Sequence, residues 1–259
     1  MRLAATAASA IEPGALPPAD HRPWPVPREP WVMAQTWERL LFVHWPVAPA
    51  ALAGLLPPGL ALHTRDGHAW LAVTPFHLTG LRARGLPPVP GLSRFHELNV
   101  RTYVIAGGKP GVWFLSLDAE SAIAVAAARR LYHLPYFHAR FAETVDGGRV
   151  RYASRRVHPG APAAELEVVY APVAPPAESA PGSLEWWLTE RYCLYTVDDG
   201  RLLRAEIHHA PWPLQRAEAT FTRNTMTAGH GVHLEGPPPL LHYAQRLDVV
   251  VWPPAAVAA

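Results

Sequence analysis

The chain carries one lysine, Lys109, and one cysteine, Cys193, in 259 residues. Imine chemistry needs an amine nucleophile. Lys109 stands in Ala106-Gly107-Gly108-Lys109-Pro110, which composition marks as an exposed hairpin turn. A Schiff-base lysine is therefore excluded from any reaction expected here. The lone cysteine cannot close an internal disulfide, which fits a reducing, cytoplasmic setting. Its apolar and aromatic surroundings, Tyr192-Cys193-Leu194-Tyr195, read as core and not as a reactive thiol. Charge is sparse as well, at 17% of residues with a net of +2. No run of about five or six basic side chains occurs, so nucleic acid is a poor partner. No stretch approaches about 18 consecutive apolar residues, so no membrane span is expected.

Chemical motifs are missing too. There is no Gly-x-Ser-x-Gly nucleophile turn, no phosphate-cradling loop and no dinucleotide fingerprint, so no cofactor is expected. Among the 14 histidines, His44, His96, His208, His209 and His242 could converge in space. None has His-Glu-x-x-His spacing, and adjacent strand residues such as His208 and His209 point to opposite faces. These histidines are read as hydrogen-bonded structural groups, and no metal is expected.

What is present is a large apolar fraction, 49%, enough for one sizeable core. Prolines crowd residues 11–31, a composition that takes extended geometry. Residues 1–35 are accordingly expected to form an arm wrapping the domain through Trp24 and Trp31. The start, Met1–Ala10, has too short an apolar run for a signal peptide and reads as part of that arm. Residues 36–255 are expected to form a single domain, with a Pro-rich loop over 171–181.

Strand signals dominate that domain. Apolar or alternating runs cover 40–45, 69–78, 94–105, 111–117, 137–144, 149–156, 192–197 and 201–208. Pro75 implies a bulge or an edge in the second of these. Gly107-Gly108, Asp146-Gly147-Gly148 and Asp198-Asp199-Gly200 mark three hairpins, so the sheet is mostly antiparallel and curled into a barrel or sandwich. A short helix is expected over 48–56. A second spans 121–132, with Asp118 as N-cap and Arg129-Arg130 at its C-terminal end. A third spans 183–191, capped by Ser183. The class is β-rich α+β.

The most informative strand is Phe95–Val104. Period-two alternation sets Leu98, Val100, Thr102 and Val104 on one face and Glu97, Asn99, Arg101 and Tyr103 on the other. That polar row is either a solvent face or the lining of a barrel interior in which Glu97 and Arg101 hold a polar ligand.

Further motifs run in order along the chain. Glu-Leu-Asn-x-Arg-Thr-Tyr-Val at 97–104 precedes Gly-Lys-Pro-Gly-Val-Trp-Phe at 108–114, Ser-Leu-Asp at 116–118 and Leu-Pro-Tyr at 134–136. Arg-Tyr-Cys-Leu-Tyr at 191–195, His-Ala-Pro-Trp-Pro-Leu-Gln at 209–215 and Leu-Leu-His-Tyr-Ala at 240–244 follow. From about Trp37 to Trp252 the chain resembles the YqjF-like family, a bacterial family of unknown function, and no reaction comes with that resemblance. A second segment, Ala122-Ile123-Ala124-Val125, then Ala128-Arg129-Arg130-Leu131 and Pro135-Tyr136-Phe137, is similar to part of acetoacetate decarboxylase. That likeness implies an acetoacetate-decarboxylase-like curled antiparallel β-barrel with a central cavity. It sets the decarboxylase's lysine pair on Tyr136 and Phe137, its active-site carboxylate on Glu97, and an arginine on Arg129.

The resulting expectation is a bacterial, cytoplasmic barrel of open oligomeric state that binds a small polar molecule, such as an oxo acid. Glu97 and Tyr136 are the tentative acid–base groups, and Asn99, Arg101, Tyr103 and Arg129 the ligand-binding ones. Two alternatives stand beside it: a lysine-independent lyase, hydratase or isomerase, and a structural protein with a filled barrel.

Overall fold

The computed structural model describes residues 16–257. The signal-like start and the first part of the arm lie outside the described residues. The elements in order are β1 (Met33–Val47), α1 (Ala50–Ala53), β2 (Ala61–Leu62), β3 (Ala69–Ala83), β4 (Phe95–Ala106), β5 (Lys109–Ala119), α2 (Ala122–Leu131) and β6 (Tyr136–Asp146). Then follow β7 (Arg149–Arg156), β8 (Glu165–Pro172), α3 (Leu184–Thr189), β9 (Cys193–Asp198), β10 (Arg201–His209), β11 (Gln215–Asn224), β12 (Leu240–Val251) and β13 (Ala255–Ala256).

The turns expected from glycine hold. Gly107 and Gly108 join β4 to β5 at φ of 55° and 72°, a region open to glycine and costly for most side chains. The expected helix cap at Asp118 is corrected. Ser121 caps α2, its hydroxyl accepting from the Ala124 amide at 3.2 Å. Asp118 is fully buried in β5 and takes a bidentate bond from Arg156, at 2.7 Å from Nη2. Ser183 caps α3 as expected.

The sheet closes on itself in two rings. One runs β5-β6-β7-β8-β11-β12-β1-β3-β4 and returns to β5, a closed nine-strand barrel. A smaller ring leaves β5 through β9 and β10 and rejoins at β12, so the rings share β12, β1, β3, β4 and β5. Shared strands are buried on both faces, the physical reason they read as unbroken apolar runs. In β1, Leu41 and Val43 enter the nine-strand core with Tyr152, Leu166 and Tyr170, whereas Leu40 and Phe42 face the smaller ring with Phe76 and Trp212.

Pro75 is not on an edge, because β3 lies between β1 and β4. The β1–β3 register shifts between Glu38 and Val43, opposite Pro75, and Arg39 within that bulge sits at φ 51°. Residues 16–32 cross the outside. Trp31 packs with Trp252 and Val250, and the Trp24 indole donates to Glu206 at 2.8 Å. No helix among the described residues is long and apolar enough to cross a membrane.

Candidate functional site

β4 positions the site. Leu98 and Val100 point into the packed nine-strand core, so Glu97, Asn99 and Arg101 point into the smaller ring. There they line a cavity of about 110 Å3. A single buried water needs roughly 10–15 Å3 by the same measure, so several water-sized groups fit. Trp37, Leu40, Phe76, Phe114 and Trp212 make its walls largely apolar, and Ala128 and Tyr132 from the end of α2 cover it.

Glu97 is 4% exposed, and its Oε2 accepts from the Tyr136 hydroxyl at 3.1 Å. Burial pushes the Glu97 carboxyl up to about 8, against the downward pull of the Tyr136 bond. The same burial, with the Glu97 charge beside it, pushes the Tyr136 phenol well above its ordinary range. No ion pair among the described residues includes Glu97. Near neutral pH the carboxyl is therefore mostly protonated and can both give and take a proton.

Two arginines share this cavity and are almost fully buried, Arg101 at 8% and Arg191 at 4%. Nε and Nη2 of each are buried without a hydrogen-bond partner. Arg191 Nη1 donates to His63 Nδ1 at 2.9 Å. Aromatic rings otherwise hold the guanidinium groups. Arg101 lies 5.2 Å from the Phe42 ring centre, and Arg191 lies 4.4 Å from Trp187 and 5.1 Å from Tyr103. Burial lowers Arg191 to about 10, and the nearby Arg101 charge adds to the fall. Unpaired buried donors on a charged group are costly, and an anion between the two groups would relieve both deficits.

The other expected site residues divide. Asn99 lines the cavity, and its Oδ1 accepts from the Thr74 hydroxyl, leaving the amide N–H groups as donors. Tyr103 does not line the cavity. It is fully buried, bonded to His44 Nε2 at 2.7 Å, and lies beneath both arginines. Arg129 is corrected: it is exposed on the outer side of α2 and donates to the Tyr136 carbonyl at 2.8 Å. Its helix carries it away from the face that Ala128 and Tyr132 present. Phe137, next to Tyr136, points out of the cavity under the Arg156 guanidinium, 4.1 Å away. Lys109 binds Glu206 at 3.1 Å in the hairpin and does not line the cavity.

Sequence reasoning missed Arg191 and His209 as lining groups. Both stand at the head of motifs quoted above, but nothing local marks them as inward-facing. His209 is held near 4 by burial, so it is neutral at pH 7, with Nδ1–H donating to the Ala210 carbonyl at 2.7 Å.

A separate group, His77, His96 and Glu143, brings its ligand atoms within 4.8 Å of one another. The Arg39 guanidinium already fills it, with Nη2 at 2.5 Å from His77 Nδ1 and 2.7 Å from Glu143 Oε2. Two of the three side chains are thus already bonded to a protein cation.

The model of the DUF2071 family, described as uncharacterized conserved protein, matches residues 34–248. Protein YqjF of Bacillus subtilis (strain 168), described as uncharacterized, is 47% identical over 228 residues, which is 88% of this chain and 93% of that protein. Among solved structures, the enduracididine biosynthesis enzyme MppR, complexed with pyruvate, superposes with a TM-score of 0.60 at 15% identity, over 90% of this chain and 92% of that one. Acetoacetate decarboxylase of Legionella pneumophila subsp. pneumophila str. Philadelphia 1 gives 0.58 at 13% identity, over 98% of both chains. These likenesses place the fold with acetoacetate decarboxylase. The chain belongs to the DUF2071 family.

Proposed function

We propose that this member of the family binds a small organic carboxylate in the cavity of the smaller ring, with Arg101 and Arg191 as the anion-holding pair. The observation that carries the reading is the pair itself: two buried guanidinium groups in one cavity, each with unpartnered Nε and Nη2 donors. Guanidinium forks match carboxylate geometry, and the apolar walls strengthen the attraction. Glu97 and Tyr136 then face the remainder of the ligand, and Asn99 supplies a further donor. MppR, a barrel of the same fold, has been seen with pyruvate, which makes 2-oxo acids the first ligands to try. A lone buried Cys193 and the bacterial relative fit a bacterial cytoplasmic setting.

Calorimetric titration with pyruvate and longer 2-oxo and simple carboxylates tests this. Arg101→Gln and Arg191→Gln should each weaken binding about 10- to 100-fold, the worth of a charge-assisted hydrogen bond. Equal affinity in wild type and both variants would overturn the assignment.

A second reading, acid–base catalysis without an imine, is favoured by one feature, a carboxyl near 8 bonded to a tyrosine. A group titrating near the working pH is suited to proton transfer beside a carbonyl. In D2O, the wild type should accelerate exchange of the protons next to the carbonyl of a bound oxo acid, as followed by proton NMR. Glu97→Gln should abolish that exchange while binding persists. If the wild type binds the acid but does not exchange its protons, the cavity is a binding site only.

A further inference from the structure

We infer that the acid this cavity takes carries an extended apolar chain, and that the chain runs out past Tyr132 and Met33 into a groove on the surface. The inference rests on the carboxylate reading above and adds the class of the ligand. Met33 and Tyr132 line the cavity and also line a groove of about 540 Å3, so the two spaces adjoin at these side chains. The groove is walled by Leu81, Leu86, Val89, Leu92 and Leu131. Leu86 is 62% exposed, Val89 54% and Leu131 63%, an apolar surface of a kind that marks a binding site when it is contiguous.

β4 and the residues before it give the axis. Ser93 lies in the groove, and Glu97, Asn99 and Arg101 follow one another into the cavity. Extended chain advances about 3.3 Å per residue, so the Arg101 and Glu97 backbones are about 13 Å apart, with the groove further out. The side chains close part of that distance. A short acid held by the arginines still leaves the apolar wall beyond Glu97 and the whole groove unused. The charges sit at the inner end and the apolar surface at the outer end, which is the polarity of an alkyl or aryl-alkyl monocarboxylate entering tail last.

The test is calorimetry on the full chain with acetate, butyrate, hexanoate, octanoate and decanoate. Affinity should rise about threefold to fourfold per methylene from butyrate to octanoate, the increment expected for a buried methylene. The triple variant Leu86→Gln, Val89→Gln, Leu131→Gln should keep the butyrate affinity and lose most of the gain at octanoate and decanoate. These three side chains are exposed, so the variant's fold is checked simply by circular dichroism. Butyrate binding with no further gain on lengthening overturns the chain and leaves the arginine site standing. Failure of every acid to bind overturns both. A concentration-dependent dimer that the triple variant dissolves, without dependence on chain length, would assign the groove to a second copy of this protein.

Discussion

Glu97 loses its solvent and gains only a tyrosine hydroxyl, and its folded-state carboxyl rises to about 8 from an ordinary 4.5. Between those values the unfolded chain ionises while the folded one keeps its proton. Stability from this group is therefore lost as pH rises from about 4.5 to about 8, and the loss is complete above that. Glu97→Gln removes the titration. Its thermal midpoint should match the wild type near pH 4 and exceed it increasingly up to pH 8, by an amount worth a few kcal/mol. A gap between the two proteins that stays constant with pH would count against a buried, protonated Glu97. Asp118 shows the opposite solution on the same sheet. It too is buried and pushed up, but Arg156 binds it at 2.7 Å and opposes the shift. The sequence displayed Glu97, Asn99 and Arg101 as one row because strand alternation is a local property. It could not show that Arg101 lacks a carboxylate partner, since that depends on everything packed around it.

At the scale of elements, the arm over residues 16–32 gathers several of its ties to the barrel on one carboxylate, beside the bonds from Trp252 to the Glu29 carbonyl and from Arg22 to the Ile207 carbonyl. Glu206 on β10 accepts from Arg22 at 3.0 Å, Trp24 at 2.8 Å, Lys109 at 3.1 Å and Arg204 at 3.1 Å. The Arg22 side chain has no solvent exposure, so removing its carboxylate strands a buried charge. Glu206→Ala should cost about 3–5 kcal/mol in urea denaturation and, by loosening the arm, speed tryptic cleavage after Arg28. A loss below about 1 kcal/mol would mean that the arm's other hydrogen bonds and apolar contacts hold it without this carboxylate. This carboxylate also explains the one lysine: Lys109 closes an anchor on the hairpin, away from the cavity. The hairpins were legible in the sequence because Gly107-Gly108, Gly147-Gly148 and Asp199-Gly200 adopt positive φ, which few other residues tolerate. Strands β8, β11 and β12 were not. Their connections are long: the one before β8 spans residues 157–164 around Gly160, and the one before β12 spans 225–239, so no two-residue glycine turn marks them, and β11 alternates half-buried and exposed side chains too polar to register as a strand.

For the whole molecule, the two rings settle what β4's polar row does. A single sheet would give it one buried face and one wet face, and the row would then be a solvent surface. Here β12, β1, β3, β4 and β5 belong to both rings, so the face opposite the core is an interior too. The smaller ring closes through a few residue pairs only, Val112–Trp113 with Leu194–Tyr195 and Ile207–His209 with Val251–Val249. Through that closure Arg191 and His209 reach a cavity begun by residues about a hundred positions earlier.

The sequence by itself determined a β-rich, mostly antiparallel class, most hairpins, the absence of an imine-forming lysine and the Glu97–Asn99–Arg101 row. Each follows from local chemistry: backbone preference, side-chain alternation, or a residue count. The tertiary structure alone decided that the row faces a closed cavity and that Arg191 joins it. It also decided that Tyr136 bonds Glu97, whereas Arg129 and Tyr103 stand outside. Those outcomes depend on ring closure between distant strands and on desolvation, and both are sums over the whole packed chain.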